Sequence, residues 1–215
     1  ACAKLIKEKK VDFLVALGGG SALDCAKASG TICFTEDSIC KYHGTGEVLP
    51  KQHLPLIAIP TTAGTGSEVT CVAVLSNKDL GKKGPINCNN FYPAVALIDP
   101  ELTYTLPPFQ TACGIADMMA HIMERYFTNT QEVEISDRVC EGTLLAIIKE
   151  AVTVMKEPQN YGARANLMWC GTIAHNGTCG VGCEEDWASH FLEHEMSAIY
   201  NVTHGAGLSV IFPAW

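Results

Sequence analysis

The stretch from residue 11 to residue 28, VDFLVALGGGSALDCAKA, decides the fold class of this chain. Its first seven residues form a short apolar run rich in β-branched side chains, which predicts a strand. Gly18, Gly19 and Gly20 end that strand, and Ser21 can cap a helix that continues through Ala28. A strand, a glycine turn and a helix in this order indicate an α/β unit.

Further strands follow, and then the pattern changes. Apolar runs at 54–59 and 94–98 end at Pro60 and at Asp99-Pro100, and such continuous runs favour a parallel sheet covered on both faces. After Pro107-Pro108 only helical periodicity is found, and it covers 115–128, 132–156, 161–175, 186–200 and 204–212. We therefore predict an α/β domain over 1–105, followed by an all-α domain over 106–215.

Composition excludes several classes of function. With 47% hydrophobic and 18% charged residues among 215, the chain is expected to form a packed core. A net charge of −8, with no basic cluster larger than residues 7–10, argues against a nucleic-acid partner. No apolar run approaches the ~20 residues that span a bilayer, and the first residues lack the features of a signal peptide.

The cysteines indicate a reducing compartment. There are eleven of them, an odd number, and no Cys-x-x-Cys pair. Disulfide frameworks belong mainly to short secreted chains, so we predict free thiols and a cytoplasmic location. Cys179 and Cys183 are close in sequence, but the loop between them offers no other ligand, and we interpret both as structural.

Two loops have the composition of anion-binding turns. Gly18, Gly19 and Gly20 lead into a helix N-terminus, where backbone N–H groups and the helix dipole favour negative charge. The loop at 61–68, TTAGTGSE, supplies four hydroxyls directly after a strand, where α/β sheets bind ligands. Two such loops suit a diphosphate. The alternatives are a tight turn without a ligand and a polar surface loop.

The second region carries candidate metal ligands. Asp117 and His121 are four residues apart, which places both on one helix face, as a metal site or as a buried ion pair. His190 and His194 again share a face, and His204 opens the next helix. One carboxylate with several imidazoles suits Fe²⁺ or Zn²⁺ better than Ca²⁺ or Mg²⁺. The remaining histidines have no partner spacing and are interpreted as surface or core residues: His43, His53 and His175.

At this point the sequence resembles a known family. The pieces occur in one order: GGGS at 18–21 with Asp24 and Lys27, PTTAGTGSE at 60–68, GIAD at 114–117 with His121, and His190-x3-His194-x9-His204-Gly205. Together they are similar to the iron-containing (group III) alcohol dehydrogenases, in particular the butanol dehydrogenase-like branch. The resemblance implies a dehydroquinate synthase-like architecture, with an α/β nucleotide-binding domain followed by a helical metal-binding domain.

The resemblance also implies an activity and site residues. It implies hydride transfer between NAD(P)(H) and a primary alcohol or aldehyde such as butanol or butanal, with Fe²⁺ or Zn²⁺ polarising the substrate oxygen. The implied metal ligands are Asp117, His121, His190 and His204. His194 matches a histidine near the nicotinamide that relays a proton and is not a ligand. The implied cofactor contacts are Gly19, Gly20, Ser21, Thr61, Thr62, Thr65, Thr70 and Lys83.

The chain also departs from the family pattern. The first strands of the nucleotide domain and several C-terminal helices are not found in it, so an inactive metal-binding fragment is one alternative. Uncovered helices would make a homo-oligomer plausible. Glu193 stands where a small residue is usual, and a charged side chain there is expected to perturb the site.

Other enzyme classes are weighed against this one. His190-x-x-Glu193-His194 fits the inverted zinc-peptidase motif, with Glu193 as general base. That interpretation leaves both glycine-containing loops and the Asp117/His121 pair without a role. Dehydroquinate synthase and glycerol dehydrogenase share the expected architecture, but the threonine-rich loop and the His190–His204 spacing favour the alcohol dehydrogenases.

Overall fold

The computed structural model describes residues 1–45, 47–77 and 81–215. These residues form two compact units. The first unit comprises 1–60 and 67–98, and the second comprises 61–66 and 99–215. The threonine-rich loop therefore belongs with the helical unit. The domain boundary at residue 105 stays a prediction.

The first unit contains the predicted parallel sheet. Its elements are α1 (Cys2–Lys9), β1 (Leu14–Gly18), α2 (Gly20–Ile32), β2 (Leu56–Pro60), β3 (Val72–Asn77), β4 (Lys82–Asn87) and β5 (Val95–Ala96). The sheet has the order β1-β2-β5, and both of its pairings are parallel. Leu23 of α2 is completely buried against Ala16, Leu56 and Ala58, so burial of one helix face on the sheet stabilises this layer.

Three details of the first unit differ from the prediction. The helix α2 begins at Gly20 with the extended Gly19 as its N-cap, and no side chain caps it. The prediction that Ser21 caps the helix was therefore wrong, because glycine itself can occupy the N-cap position. The strand predicted over 94–98 is only Val95–Ala96. The antiparallel hairpin β3–β4 was not predicted at all.

A buried polar network joins α2 to the hairpin. The carboxylate of Asp24 accepts a hydrogen bond from Ser67 Oγ at 2.6 Å and another from the backbone N–H of Val74 at 2.9 Å. Lys27 Nζ donates to the carbonyls of Thr70 at 3.0 Å and Val72 at 2.8 Å. Because each charged group has several partners, the network fixes the hairpin on the helix.

The second unit is built from helices. They are α3 (Pro108–Tyr126), α4 (Glu134–Lys156), α5 (Tyr161–His175), α6 (Ala188–Tyr200) and α7 (His204–Ala214). The five predicted helices are all present, and α3 begins seven residues earlier than expected because proline is favoured at the first helical position. Met118, Ile122, Ile147 and Leu167 lie at the centre of its core. Within the described part of the chain, no helix has the length and apolar character needed to cross a membrane.

The threonine-rich loop packs backbone to backbone on α3. A Cβ atom at Gly64, where φ is +129°, would lie 2.5 Å from Gly114 Cα, and one at Gly114 would lie 2.1 Å from the carbonyl oxygen of Ala63. Both distances are far below a normal contact. Glycine is therefore required on both sides, and the loop lies one helical turn from Asp117.

Candidate metal centre

Asp117 is the centre of a buried histidine cluster in the second unit. Its side chain is 6% exposed, and its Oδ1 lies 3.5 Å from His121 Nε2. The same oxygen lies 3.7 Å from His190 Nε2 and 3.7 Å from His204 Nε2. The structure thus brings together the four residues that the sequence analysis proposed as ligands.

Three helices position these side chains. Asp117 and His121 lie one turn apart on α3, His190 lies in the first turn of α6, and His204 opens α7. Asn201 ends α6 in the left-handed conformation, with φ of 54°, and so begins the turn between α6 and α7. Gly205 lets α7 approach α3 closely, since a Cβ there would lie 1.9 Å from the carbonyl oxygen of Cys113.

Glu124 orients His190 from behind. This buried carboxylate of α3 bonds to His190 Nδ1, accepts from Ser189 Oγ, and accepts from the backbone N–H of His190 at 3.2 Å. With its proton on Nδ1, the ring directs the Nε2 lone pair toward Asp117. Carboxylates in this position fix the tautomer of metal-binding histidines. The sequence analysis missed Glu124, although seven residues from Asp117 places it on the same helix face.

Glu193 contacts Nδ1 of His204 as Glu124 contacts Nδ1 of His190. Its carboxylate contacts His204 Nδ1 and accepts from Ser197 Oγ, and the residue is completely buried. Gly207 makes room for it, because a Cβ there would lie 2.7 Å from Glu193 Cγ. The carboxylate thus contacts a proposed ligand, and the expectation that it perturbs the site stays a prediction. A buried, hydrogen-bonded group of this kind does not suit the general base of a peptidase.

Two further histidines border the cluster. His194 is buried, and its ring stacks on that of His204 with centroids 5.2 Å apart. His175 is also buried, as a core residue would be, but its ring lies 3.9 Å from that of His121. The sequence analysis assigned His175 no role in the site, because its place depends on how α5 packs against α3.

Arg125 ties the ligand helix to its surroundings. Its guanidinium donates to the carbonyls of His121 and Ala174, both at 2.9 Å, and to Glu185 at 2.8 Å. It also lies 4.6 Å from the ring centre of Trp187, whose edge faces His121. The guanidinium thus has acceptors on three segments of the second unit, and the backbone around His121 is held in place.

The electrostatics of the cluster place a positive charge beside Asp117. Burial alone would raise the pKa of the Asp117 carboxyl, but His204 and His190 outweigh it and lower that pKa. Burial opposes the charged form of His190, yet the nearby carboxylates of Asp117 and Glu124 raise its pKa to about 9. Burial, with help from neighbouring histidines, lowers the pKa of His121 well below its usual value. Without an ion, His190 therefore carries a proton that it must release to act as a ligand, whereas His121 is already neutral.

The unpaired atoms fit a metal ion. Asp117 Oδ1 and His190 Nε2 are buried and have no hydrogen-bond partner. Unpaired buried polar atoms are costly, and these two lie 3.7 Å apart. Donors about 2.1 Å from a common Zn²⁺ or similar ion lie roughly 3.0–3.5 Å apart, close to the 3.5–3.7 Å separations from Asp117 Oδ1. Two groups of ligand atoms, each within 4.8 Å of one another, share Asp117: one includes His190 and His204, and the other includes His121 and His175. The residue types and their closeness to Asp117 therefore fit the metal that the resemblance implies.

The proposed cofactor contacts lie in both units. Gly19, Gly20 and Ser21 form the turn from β1 into α2, and Lys83 lies in β4 opposite Ser76. Thr70 accepts hydrogen bonds from Lys27 through its carbonyl and hydroxyl oxygens. In the second unit, the half-buried side chains of Thr61, Thr62 and Thr65 lie in the loop packed on α3. Their roles as cofactor contacts stay predictions.

Comparison with known proteins agrees with this site. The family profile described as iron-containing alcohol dehydrogenase matches residues 1–100, and the one described as the C-terminal part of the Fe-containing alcohol dehydrogenase family matches residues 111–215. The chain belongs to the iron-containing alcohol dehydrogenase family. The resemblance and the fold class derived from the sequence are thereby confirmed.

Its relatives in the iron-containing alcohol dehydrogenase family include butanol dehydrogenases and aldehyde reductases. NADH-dependent butanol dehydrogenase B of Clostridium acetobutylicum is 40% identical over 99% of this chain and 54% of its own. NADPH-dependent aldehyde reductase YqhD of Escherichia coli is 40% identical over 98% of this chain and 55% of its own. The crystal structure of NADH-dependent butanol dehydrogenase A from Thermotoga maritima superposes with a TM-score of 0.96 at 39% identity, over 100% of this chain and 54% of that one. The chain spans about half the length of the curated relatives it matches.

Proposed function

We propose that this chain carries the metal centre of an NAD(P)H-dependent alcohol dehydrogenase or aldehyde reductase. One observation supports this above all others: Asp117 Oδ1 lies 3.5–3.7 Å from the Nε2 atoms of His121, His190 and His204, and it has no hydrogen-bond partner. An Fe²⁺ or Zn²⁺ ion held there supplies a Lewis acid that stabilises negative charge on the oxygen of an alcohol or aldehyde.

The chain's own residues prepare the site for that ion. Glu124 and Glu193 contact the Nδ1 atoms of His190 and His204, so that both Nε2 lone pairs remain available. The helices α3, α6 and α7 carry all four proposed ligands, and rigid elements hold donors more precisely than loops do. Donors carried by helices lose less conformational freedom when an ion binds, and this supports the proposed site.

His194 is proposed as the residue that relays a proton. It is buried beside His204, and the two rings stack with centroids 5.2 Å apart. An imidazole can donate or accept a proton near neutral pH, and positioned groups of this kind contribute about 10²–10⁴-fold to rate. Replacement His194→Asn is expected to lower turnover within that range while the protein keeps its metal.

The names of the relatives support a substrate class and a cofactor class. The Clostridium relative is named for NADH and butanol, and the Escherichia relative for NADPH and aldehydes. We propose a primary alcohol or aldehyde, such as butanol or butanal, as the substrate and NAD(H) or NADP(H) as the cofactor. The eleven free thiols support a cytoplasmic location. A homo-oligomer stays a prediction.

Anaerobic purification followed by elemental analysis and a reduction assay tests the proposal. We expect about one Fe or Zn ion per chain, and oxidation of NADH or NADPH when butanal is added. Parallel assays with each nicotinamide identify the cofactor. His190→Ala is the matched variant, and it should lose both the metal and the activity. A metal-loaded chain that oxidises neither nicotinamide in the presence of butanal would contradict the proposed activity.

A further inference from the structure

His175, at the end of α5, has a fixed tautomer. Its Nδ1 lies 2.7 Å from the carbonyl oxygen of Gly171. A carbonyl oxygen can only accept, so Nδ1 carries the proton and donates it. The other ring nitrogen, Nε2, is therefore the unprotonated one, with its lone pair pointing away from the backbone. This is the tautomer that a metal-binding imidazole requires.

The lone pair of His175 Nε2 faces the candidate metal centre. The residue is 6% exposed, and Nε2 is buried and has no hydrogen-bond partner. Its ligand atom and those of Asp117 and His121 all lie within 4.8 Å of one another. A buried acceptor without a donor is costly, and Asp117 and His121 of the proposed centre lie within this distance. The atom is thus placed and protonated as a donor to an ion.

The position of the ring is also fixed from the other side. Gly66 of the threonine-rich loop, with φ of +55°, lies directly against it. A Cβ at Gly66 would lie 2.1 Å from both Cβ and Cγ of His175, so the loop backbone is in close contact with the imidazole. The bond to Gly171 and the contact with Gly66 together prevent the ring from turning away from Asp117.

We propose that His175 is an additional metal-binding residue, which donates to a divalent transition-metal ion through Nε2 beside Asp117 and His121. This inference rests on the metal centre proposed above. It extends the donor set to one carboxylate and four imidazoles: Asp117, His121, His175, His190 and His204. A nitrogen-rich set of this kind favours Fe²⁺, Co²⁺ or Zn²⁺ over Mg²⁺ and Ca²⁺ more strongly than three imidazoles do.

Co²⁺ is the probe for the test, because its visible absorption depends on the number and type of donors. The variant is His175→Asn, whose side-chain amide can still donate to the Gly171 carbonyl but has no atom at the place of Nε2. We expect its Co²⁺ affinity, measured by competition with a chelator, to fall by at least about tenfold, since even the loss of an outer partner costs 10–100-fold. The absorption bands of bound Co²⁺ should change as well.

The control is His53→Asn, the same substitution at an exposed histidine of the first unit. It should leave both the Co²⁺ affinity and the spectrum unchanged. Thermal unfolding without metal shows whether His175→Asn keeps the fold. If it does not, X-ray absorption of the Co²⁺-loaded parent chain decides, with four imidazole nitrogens expected.

The outcomes separate the two proposals. Equal Co²⁺ affinity and an unchanged spectrum in a folded His175→Asn variant would overturn the role of His175 and leave the four-ligand centre intact. If X-ray absorption finds only three imidazole nitrogens around Co²⁺ in the parent chain, the role of His175 is likewise overturned. If the parent chain itself binds no Co²⁺, the metal centre and the role of His175 both fail.

Discussion

Each of the two units buries a carboxylate that is carried by an α-helix. The two carboxylates differ in their hydrogen-bond partners. In the first unit, Asp24 of α2 receives hydrogen bonds from Ser67 and Val74, so its oxygens are satisfied within the protein. In the second unit, Asp117 of α3 has an oxygen with no hydrogen-bond partner, although three imidazole nitrogens lie within 4 Å. A satisfied carboxylate supports the fold, whereas an unsatisfied one among lone pairs marks a place for a cation.

An unpaired atom alone does not make a site. Thr31 Oγ1 of the first unit is also buried without a partner. It is a single neutral hydroxyl, whereas Asp117 is a carboxylate that belongs to two groups of closely spaced ligand atoms. This difference between the units can be tested with matched variants.

The largest effect is expected from Asp117→Ala. Since Oδ1 is the atom that His121, His190 and His204 all face, its loss should remove nearly all bound metal. Elemental analysis of anaerobically purified protein measures this. Asp24→Ala is the matched change in the first unit and should leave the metal content per folded chain unchanged. A full complement of metal in Asp117→Ala would remove the distinction between the two carboxylates.

Asp24→Ala should instead destabilise the first unit. Two buried donors, Ser67 Oγ and the N–H of Val74, would lose their acceptor. Each buried donor left unpaired costs about 1–3 kcal/mol, so the free energy of unfolding should fall by about 2–6 kcal/mol. Urea titration followed by circular dichroism gives this value, with the exposed Asp12→Ala as control. A change below about 0.5 kcal/mol would show that the network does not stabilise the fold.

A smaller effect is expected from Glu193→Gln. The amide can still accept from His204 Nδ1, but the negative charge that supports the imidazole is lost. Changes of such outer groups typically lower metal affinity 10–100-fold, and we expect about tenfold here. Chelator competition with Co²⁺ measures it. The neighbouring exposed Glu195→Gln is the control, and an equal affinity in both variants would separate Glu193 from the metal centre.

A further effect concerns pH and Lys27. Burial lowers the pKa of Lys27 to about 8, against the opposing effect of Asp24, Glu68 and Cys71. Between that value and the ordinary 10.5, the folded chain binds fewer protons than the unfolded chain. Unfolding free energy should therefore rise with pH in this interval through Lys27. The difference in stability between the parent chain and Lys27→Met, followed from pH 7 to 10.5, should shift in favour of the parent; a constant difference would contradict this.

Local sequence signals predicted the parts of the molecule that depend on short spacing. The interval of four between Asp117 and His121 predicted a shared helix face, and His204 was expected to open a helix. Both are present. The glycines at 18–20 predicted the turn from β1 into α2, although the helix begins one residue before the proposed cap.

Tertiary packing decided the rest. The strand β4 begins with Lys82, Lys83, Gly84 and Pro85, residues that are depleted in strands, and only pairing with β3 makes it one. His175 stands alone in the sequence and joins the cluster because α5 lies against α3. The roles of Glu124 and Glu193 depend on the imidazole that each one contacts in the folded chain. The spacing of residues within one helix could not predict these contacts.

The contact between Glu193 and Gly207 makes the two positions unequal. The carboxylate occupies space that any side chain at position 207 would need, since a Cβ there would lie 2.7 Å from Glu193 Cγ. Position 207 can therefore accept a side chain only if Glu193 shifts or is replaced by a smaller residue. The reverse does not hold, because glycine at 207 leaves room for a smaller residue at 193. A substitution at 207 that disrupts this chain would thus be tolerated when a smaller residue at 193 accompanies it.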